Sequence, residues 1–314
     1  MRVVHGVAEV QRDPSSVVTV GTFDGVHLAH REIITEVVNR ARMKEGRSVV
    51  VSFDPHPREV VGGGRDPVRL LTTLYERVEL LELLRVDMLV LIPFTPEFSR
   101  LSPRAFFTQY VVEGIGVSEV VVGYDHMFGR DRQAGIEDLV HLGKEFDFSV
   151  FALHPYAVEG ETVSSTAIRS ALAAGDVVRA RAFLGYEYVI SGHVVRGDGR
   201  GRTIGFPTAN IVPDNTAKLV PAGGVYLVGV RHGNTQRFGM MNIGVRPTVS
   251  AGTALTLEVH IFDFEGNLHG EAVAVSFLRR LREERKFGSV EDLAVQLGQD
   301  REVSLRLLAG RRKQ

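Results

Sequence analysis

The spacing of the apolar runs changes near residue 185 of this 314-residue chain, and the two patterns belong to different fold classes. Before that point, β-branched runs alternate with helical stretches, which is typical of a parallel sheet covered on both faces by helices. After it, short strands follow one another with dense turn signals, which favours a small antiparallel barrel closed by one helix. We therefore predict an α/β domain over residues 1–185 and a β domain over residues 186–314.

The individual elements follow from the same patterns. In the first domain, strands are predicted at Val17–Val20, Ser48–Phe53, Met88–Ile92, Val120–Val122 and Phe148–Leu153, and helices at Leu28–Lys44, Tyr75–Leu84, Pro103–Val112, Ile136–Phe146 and Asp176–Leu184. In the second domain, strands are predicted at Tyr188–Val195, Gly224–Val230, Arg237–Ile243, Leu255–Phe262 and Ala272–Phe277, before a helix at Val290–Leu308. The apolar positions of that helix predict a face packed on the barrel, formed by Leu293, Leu297, Leu305 and Leu308.

Composition narrows the classes of function. The net charge of −1 gives no bulk attraction to nucleic acid, and the absence of cysteine excludes disulfides, thiolate nucleophiles and cysteine-ligated metals. No apolar run reaches the roughly 18 residues of a membrane span, and residues 1–6 lack the apolar core of a signal peptide. We expect a cytoplasmic protein without nucleic-acid or membrane partners; the sequence carries no indication of its oligomeric state.

A glycine-containing turn joins the first predicted strand to the first predicted helix, with the sequence G-T-F-D-G-V-H-L-A-H at residues 21–30. Glycine lets the backbone approach a ligand closely, and a helix N-terminus offers free N–H groups and a positive dipole to phosphate. His27 and His30 are three residues apart on one helical face, so both imidazoles can touch the same phosphates. On this segment alone, a turn followed by two surface histidines explains the pattern equally well.

Three more polar segments follow predicted strands of the same sheet: S-F-D-P-H-P at 52–57, G-Y-D-H-M-F-G at 123–129 and V-S-S-T-A-I-R at 163–169. Serine and threonine before a helix are common caps, but four polar clusters at strand ends favour a ligand site, because ligands of parallel sheets bind there. Together these segments resemble the adenylyltransferase domain of the bacterial bifunctional riboflavin kinase/FAD synthetase family.

The resemblance implies a Rossmann-like nucleotidyltransferase fold that joins AMP from ATP to FMN and releases pyrophosphate. It assigns His27 and His30 to the ATP phosphates and Arg169 to the mobile phosphate-binding segment. The other residues that it implies in nucleotide or flavin binding are Gly21, Phe23, Asp24, Gly25, Asp125, Ser164, Ser165 and Thr166. This chain departs from the family at Ala29, where the family has a glycine, and at His126 and Met127.

The glycine-rich segment at residues 197–210 reads G-D-G-R-G-R-T-I-G-F-P-T-A-N. Its glycines permit a tight loop with exposed N–H groups suited to phosphate, although a flexible hairpin has the same composition. It is not a Walker A sequence, because no Gly-Lys-Ser/Thr follows, nor a dinucleotide fingerprint, because no helical pattern opens after it. Thr208 and Asn210 add a hydroxyl and an amide oxygen, which are suitable ligands for Mg²⁺.

This segment resembles the riboflavin kinase motif of the same family, and four later segments match in order: P-A-G-G-V-Y at 221–226, N-I-G-V-R-P-T at 242–248, L-E-V-H-I at 257–261 and the charged run at 277–287. The resemblance assigns Thr208 and Asn210 to Mg²⁺–ATP and makes Glu258 the catalytic glutamate. The remaining residues that we predict to bind nucleotide or flavin are Gly197, Gly201, Arg202, Gly205, Pro207, Asn242 and Arg282. A carboxylate fits this chemistry, because it can take the proton of a ribityl hydroxyl as the phosphoryl group is transferred.

Several alternatives remain at this point. Without the neighbouring motifs, Glu258 is explained as an outward charge on an antiparallel strand, and Arg282 as a solvated member of its charge run. For the whole chain, the main hypothesis is a bifunctional enzyme with ATP, riboflavin and FMN as substrates and Mg²⁺ as cofactor. The second is a riboflavin kinase with an impaired adenylyltransferase domain, and the third is a flavin or nucleotide sensor without activity.

Overall fold

In the computed structural model, the described residues are 1–61, 69–124, 135–197, 201, 204–247 and 253–311. They form two compact units, Met1–Ser165 and Thr166–Gln314. The strands are β1 (Arg2–His5), β2 (Val17–Val20), β3 (Ser48–Asp54), β4 (Met88–Pro93), β5 (Glu119–Gly123), β6 (Ser149–Leu153), β7 (Ala157–Val158), β8 (Glu161–Thr162), β9 (Val189–Val195), β10 (Ala209–Pro213), β11 (Gly224–His232), β12 (Thr235–Pro247), β13 (Thr253–Ile261) and β14 (Ala272–Arg282). The α-helices are α1 (Leu28–Met43), α2 (Pro57–Val61), α3 (Leu74–Leu83), α4 (Pro103–Phe106), α5 (Ile136–Phe146), α6 (Ser165–Ala173), α7 (Val177–Leu184) and α8 (Val290–Arg311).

The first unit is built on a six-stranded parallel sheet with the order β1-β4-β3-β2-β5-β6. Successive side chains of a strand point to opposite faces, and here both faces are covered. Val49 and Val51 pack with the π-helix Phe107–Ile115, which continues α4, whereas Val50 packs with α1 and α3. The predicted parallel sheet with helices on both faces is confirmed.

The order of the strands places one end of the sheet where a ligand would bind. The chain runs from β2 to β3 and β4 on one side, and β5 and β6 lie on the other side of β2. The order therefore reverses beside β2, and open parallel sheets bind ligands at the carboxyl ends of the strands at such a switch point. The turn at residues 21–27 leaves β2 at this end.

The second unit contains a closed antiparallel barrel with the order β10-β13-β12-β11-β14-β9, followed by α8. This confirms the predicted barrel with a terminal helix. One face of the barrel carries Val225, Leu227 and Met240, which pack against Leu297, Leu307 and Leu308 of α8. Helices α6 and α7 also belong to this unit, and the Ala222 N–H donates to the Leu172 carbonyl over 2.9 Å.

One predicted contact of the terminal helix is wrong. Leu305 is 38% exposed, while the buried residues of α8 are Asp300 and Ser304. The helix turns this polar stripe toward the barrel because Asp300 pairs there with Arg282, at Oδ2–Nη2 2.8 Å. No helix among the described residues is both long and apolar enough to cross a lipid bilayer.

Candidate active sites

The turn at residues 21–27 has an unusual backbone. Phe23 and Val26 have positive φ values of 47° and 36°, as does Gly25 with 88°. Positive φ is costly for residues with large side chains and persists only where the surroundings fix it. Both apolar side chains are buried, with 3% and 0% exposure, and belong to the core between the sheet and α1. The backbone of the predicted phosphate turn is therefore set by its own buried side chains.

Asp24 fixes the turn from its other side. Its carboxylate accepts hydrogen bonds from the Leu71 N–H (3.0 Å), the Thr72 N–H (2.8 Å) and the Thr72 hydroxyl (3.1 Å). The Thr72 hydroxyl also accepts the Gly25 N–H over 2.9 Å. Asp24 is 1% exposed, so its contacts make it a buried clamp between the turn and the segment before α3.

Arg77 supports the same turn and was missed by the sequence reasoning. Its Nη1 donates to the Thr22 carbonyl (2.9 Å) and the Ser52 hydroxyl (2.8 Å), and it reaches the Phe53 carbonyl at 3.4 Å. It thereby joins the ends of β2 and β3. A signal existed in the sequence, because Arg77 interrupts the apolar stripe of α3 that Leu74 and Leu81 continue. Burial lowers the pKa of Arg77.

His27 and His30 are brought together at the start of α1. His27 is the N-cap, and its Nδ1 accepts the backbone N–H of His30 over 3.3 Å. The two rings stack with centroids 3.5 Å apart and an angle of 17° between their planes. Because Nδ1 of His27 accepts, the neutral ring carries its proton on Nε2.

His30 is held as an uncharged group. Burial, and to a smaller extent electrostatic interaction with His27 and Arg77, holds the pKa of His30 well below its ordinary value of 6.5. Its Nδ1 is buried and has no hydrogen-bond partner among the described residues. The Phe23 ring lies edge-on to it, with centroids 5.2 Å apart. A buried polar atom without a partner is costly, and an incoming ligand is one way to satisfy it.

The predicted phosphate-binding segment begins next to this turn. The Ser165 hydroxyl donates to the Asp24 carbonyl over 3.0 Å, and both residues belong to the first unit. Ser164 and Ser165 are half-buried, whereas Thr166 and Arg169 lie on α6 in the second unit. Gly21 is the first residue of the turn, and a side-chain carbon at this position would lie 3.1 Å from the Phe23 ring.

Two of the predicted residues, Asp125 and Arg202, lie outside the described residues, as do His126 and Met127. Two surface cavities of the first unit, of about 410 Å³ and 530 Å³, lie along α5 and contain none of the predicted site residues. These two cavities therefore do not mark the candidate site, which we place at the buried polar groups around β2.

In the barrel, the predicted kinase residues form a row across neighbouring strands. Asn210 of β10 is directly opposite Glu258 of β13, which is directly opposite Asn242 of β12. Directly opposite residues place their side chains on the same face, with Cβ atoms about 5 Å apart. The next residues in the row are Val225 and Arg282. Register thus gathers four predicted residues that are far apart in the chain.

The row lies on the face of the barrel that α8 covers in part, because Val225 packs against that helix. The Arg282 guanidinium is used there for an ion pair: Nε donates to both Asp300 carboxylate oxygens, at 3.1 Å and 3.0 Å. Asp300 is 4% exposed and also accepts the Gln296 amide over 2.9 Å. The contacts of Arg282 are those of an anchor for α8.

Gly197 and Gly201 of the glycine-rich segment lie close to Asn210 and to the residues just before β10. A side-chain carbon at Gly197 would lie 1.9 Å from Nδ2 of Asn210, and one at Gly201 would lie 2.2 Å from the Phe206 carbonyl and 3.4 Å from Oγ1 of Thr208. A side chain at Gly201 would force the Phe206 backbone to shift, and one at Gly197 would displace the Asn210 amide. Gly205 adopts a φ of 80°.

The donor atoms here suit a magnesium ion with a bound nucleotide. Thr208 supplies a hydroxyl, Asn210 an amide oxygen and Glu258 a carboxylate, all of them hard oxygen ligands. Among the residues that the structure describes, no cluster of three or more His, Asp and Glu side chains could hold a metal alone. The set therefore fits a metal that takes its remaining ligands from substrate phosphates and water.

Comparisons with known proteins agree with the two units. A family model described as FAD synthetase matches residues 9–167, and one described as riboflavin kinase matches residues 184–308. A Listeria monocytogenes bifunctional riboflavin kinase/FMN adenylyltransferase is 38% identical over 288 residues, covering 92% of this chain and 91% of that protein. The Escherichia coli protein with the same description is 35% identical over 303 residues, covering 96% of both chains.

A solved structure shares the whole fold. A Streptococcus pneumoniae protein described as a macrolide-efflux protein superposes with a TM-score of 0.88 at 33% identity. The superposition covers 97% of this chain and 99% of that one. This likeness extends over both units. The assignment of the chain to a family rests on the two family models and on the relatives named above.

Proposed function

The chain belongs to the bifunctional riboflavin kinase/FMN adenylyltransferase family, and on this basis we propose which of its residues carry out each reaction. The enzyme phosphorylates riboflavin to FMN with ATP and then joins AMP from a second ATP to FMN, giving FAD and pyrophosphate. The observation that carries the proposal is the row of Asn210, Glu258 and Asn242 on three neighbouring strands of the barrel.

In the kinase reaction, Glu258 is the general base. It takes the proton of the terminal ribityl hydroxyl while that oxygen bonds to the γ-phosphorus of ATP, and the bond to the bridging oxygen breaks to release ADP. Glu258 lies between Asn210 and Asn242. We assign Asn210 to the nucleotide side and Asn242 to the flavin side of the base.

Thr208 and Asn210 would hold Mg²⁺ together with the ATP phosphates. When bound, the ion would neutralise phosphate charge that develops during transfer. We assign phosphate binding to Arg202, Pro207 and the glycines from Gly197 to Gly205. The short distances from Gly197 to Asn210 and from Gly201 to Phe206 support this role. We assign Arg282 an indirect role in the kinase site, in which its ion pair with Asp300 holds α8 against the barrel.

In the adenylyltransferase reaction, an FMN phosphate oxygen bonds to the α-phosphorus of ATP, and the bond to the bridging oxygen breaks to release pyrophosphate. The attacking oxygen is already an anion, so positioning and electrostatic stabilisation dominate over proton transfer. His27 would donate through Nε2–H, and His30 would bind as a neutral ring. Gly21, Phe23, Asp24 and Gly25 would shape the turn.

The segment of Ser164, Ser165, Thr166 and Arg169 would add hydroxyl groups and one positive charge for the pyrophosphate that leaves. Asp125 would contact FMN, as the family resemblance implies. We further propose that the chain divides functionally near residue 185 and that both reactions take place in the cytoplasm, where ATP is supplied.

The test is a product analysis. Purified protein is incubated with riboflavin, ATP and Mg²⁺, and FMN and FAD are resolved by chromatography. Glu258→Gln is expected to lower FMN formation by roughly 10²–10⁴-fold, the usual contribution of a general base, and to leave the conversion of supplied FMN to FAD unchanged.

A matched control is Glu271→Gln, which changes an exposed glutamate of the same unit and is expected to retain both activities. Loss of both activities in Glu258→Gln, or full kinase activity in that variant, would contradict the assignment of the base. FMN without FAD from the unmodified protein would point to an impaired adenylyltransferase unit.

A further inference from the structure

His260 lies beside the proposed base on the same strand. It follows Glu258 by two residues on β13, so the two side chains share a face and their Cα atoms are about 7 Å apart. His260 is directly opposite Met240, whose side chain belongs to the apolar cluster under α8. The imidazole therefore lies on the face of the barrel that carries the kinase row.

The imidazole is bound to the nucleotide-side segment. Its Nδ1 lies 2.9 Å from the carbonyl oxygen of Pro207. A carbonyl oxygen only accepts hydrogen bonds, so Nδ1 must carry a proton and donate. The ring orientation is fixed on two sides by edge-on contacts with Phe206 and Phe262, whose centroids lie 5.2 Å and 5.9 Å away.

The segment that this bond holds lies just before the strand ladder of the barrel. Strand β10 begins at Ala209, so Thr208 lies one residue outside the ladder. Pro207 has no N–H group to donate to a neighbouring strand. On the other side, the Phe206 N–H donates to the Gly201 carbonyl over 2.9 Å. The segment is thus tied to the glycine loop by Phe206 and to the strand of the base by Pro207.

We propose that His260 is a positioning residue of the kinase site, which holds Pro207, and with it the Thr208 hydroxyl, at a fixed distance from Glu258. The inference rests on the proposed assignment of Thr208 and Asn210 to the metal-bound nucleotide. In this role, His260 aligns the γ-phosphate side of the site with the base and does not itself touch a reacting atom.

The test compares His260→Leu with His260→Asn. Leucine keeps apolar contacts with Phe206 and Phe262 but cannot donate, whereas the asparagine amide can replace the Nδ1–H donor. We expect kcat/KM for MgATP to fall about tenfold in His260→Leu, corresponding to one lost hydrogen bond. His260→Asn should stay within about threefold of the unmodified enzyme, and the KM for riboflavin should not change in either variant.

The matched control is His269→Leu, which changes an exposed histidine of the same unit and is expected to leave kinase kinetics unchanged. The inference is overturned if His260→Leu retains its MgATP kinetics, or if the Leu and Asn variants are equally impaired. If thermal melting shows that His260→Leu unfolds the barrel, His260→Ala serves instead, because it removes the donor without adding atoms beside Phe206.

Thr208→Val separates this inference from the proposed function. If Thr208→Val retains full kinase activity, the assignment of the metal and nucleotide ligands fails, and the role of His260 fails with it. If Thr208→Val loses activity while His260→Leu does not, the nucleotide assignment stands and only the positioning role is refuted.

Discussion

At the scale of single residues, His27 and His30 share a ring contact but differ in hydrogen bonding. His27 is 4% exposed and caps α1 through Nδ1, whereas His30 is partly buried and its buried Nδ1 has no hydrogen-bond partner among the described residues. A neutral, enclosed imidazole offers a hydrogen-bonding group of fixed direction to a phosphate without the cost of reorganising water. The local sequence predicts two histidines on one face, but the lowered pKa of His30 comes from burial in the folded chain and, to a smaller extent, from electrostatic interaction with His27 and Arg77.

The protonation of His30 predicts how stability depends on pH. Burial, with a smaller effect of His27 and Arg77, holds the pKa of His30 well below 6.5 in the folded protein. Below pH 6.5 the unfolded chain therefore binds a proton that the folded chain does not, and stability falls as the pH falls; above pH 6.5 both states are neutral and nothing is lost.

Urea unfolding of the unmodified protein and of His30→Gln at about pH 7.5 and about pH 5.5 measures this difference. The unmodified protein should lose roughly 1.4 kcal/mol more than the variant between the two values. Equal losses in the two proteins would mean that His30 titrates normally. His141→Gln, a change at an exposed histidine of α5, is the control and should follow the unmodified protein.

Ala29 is the second residue of α1 and stands between the two histidines. A phosphate bound at the N-terminus of α1 would meet this methyl group, so we predict that Ala29→Gly raises kcat/KM for ATP in FAD formation several-fold. The measurement is the initial rate of FAD formation from supplied FMN. As a control, Ala41→Gly, buried at the other end of α1, reports the cost of a glycine in that helix. An unchanged or lower rate in Ala29→Gly would show that the methyl group is no handicap.

At the scale of elements, α8 shows how a charge pair can decide the orientation of a helix. The leucine pattern predicts that Leu305 faces the barrel, yet the buried stripe includes Asp300 and Ser304. The partner that draws Asp300 inward is Arg282, at the end of β14 and 18 residues earlier in the chain. Periodicity describes only the helix itself, so it contains no information about an ion pair with another element.

This orientation predicts the cost of breaking the pair. Asp300→Ala leaves the Arg282 charge without its partner beside the apolar cluster, and we expect the second unit to lose roughly 3 kcal/mol of unfolding free energy. Leu305→Ala removes an exposed side chain of the same helix and should change it by less than about 0.5 kcal/mol. Urea unfolding followed by circular dichroism measures both. Similar losses in the two variants would contradict the observed orientation of α8.

One strand of the parallel sheet and one strand of the barrel were not predicted, and both depend on partners far along the chain. β1 forms by pairing with β4, whereas β10 lies between β9 and β13. The local sequence of β10, A-N-I-V-P, contains an asparagine and a proline, which are rare in strands. Such segments become strands because the neighbouring strands offer unpaired backbone groups, and a local pattern does not show this.

At the scale of the whole molecule, the chain combines two reactions in which the product of the first is the substrate of the second. Each unit has its own core and its own candidate site. If FMN passes between the sites through solution, the two activities can be supplied by different molecules. A mixture of Glu258→Gln and His30→Asn is therefore expected to make FAD from riboflavin, although neither variant does so alone.

The measurement is FAD formation from riboflavin, ATP and Mg²⁺ by each variant and by the equimolar mixture. A mixture that accumulates FMN without FAD would show that FMN must be handed over within one molecule. Each variant is also mixed with unmodified protein. These mixtures provide the reference rate and show whether either variant inhibits FAD formation.

Local sequence was sufficient to predict the fold class of each unit and the order of most strands and helices, and it supplied the hypotheses for both candidate sites. It could do so because burial on two faces, turn composition and short motifs are local properties. Only the folded chain explains how Asn210, Glu258 and Asn242 come to share one row, how Asp24 and Arg77 hold the turn at residues 21–27, and why Arg282 pairs with α8. These relations depend on strand register and on burial between segments far apart in the chain, and distance along the chain does not encode distance in space.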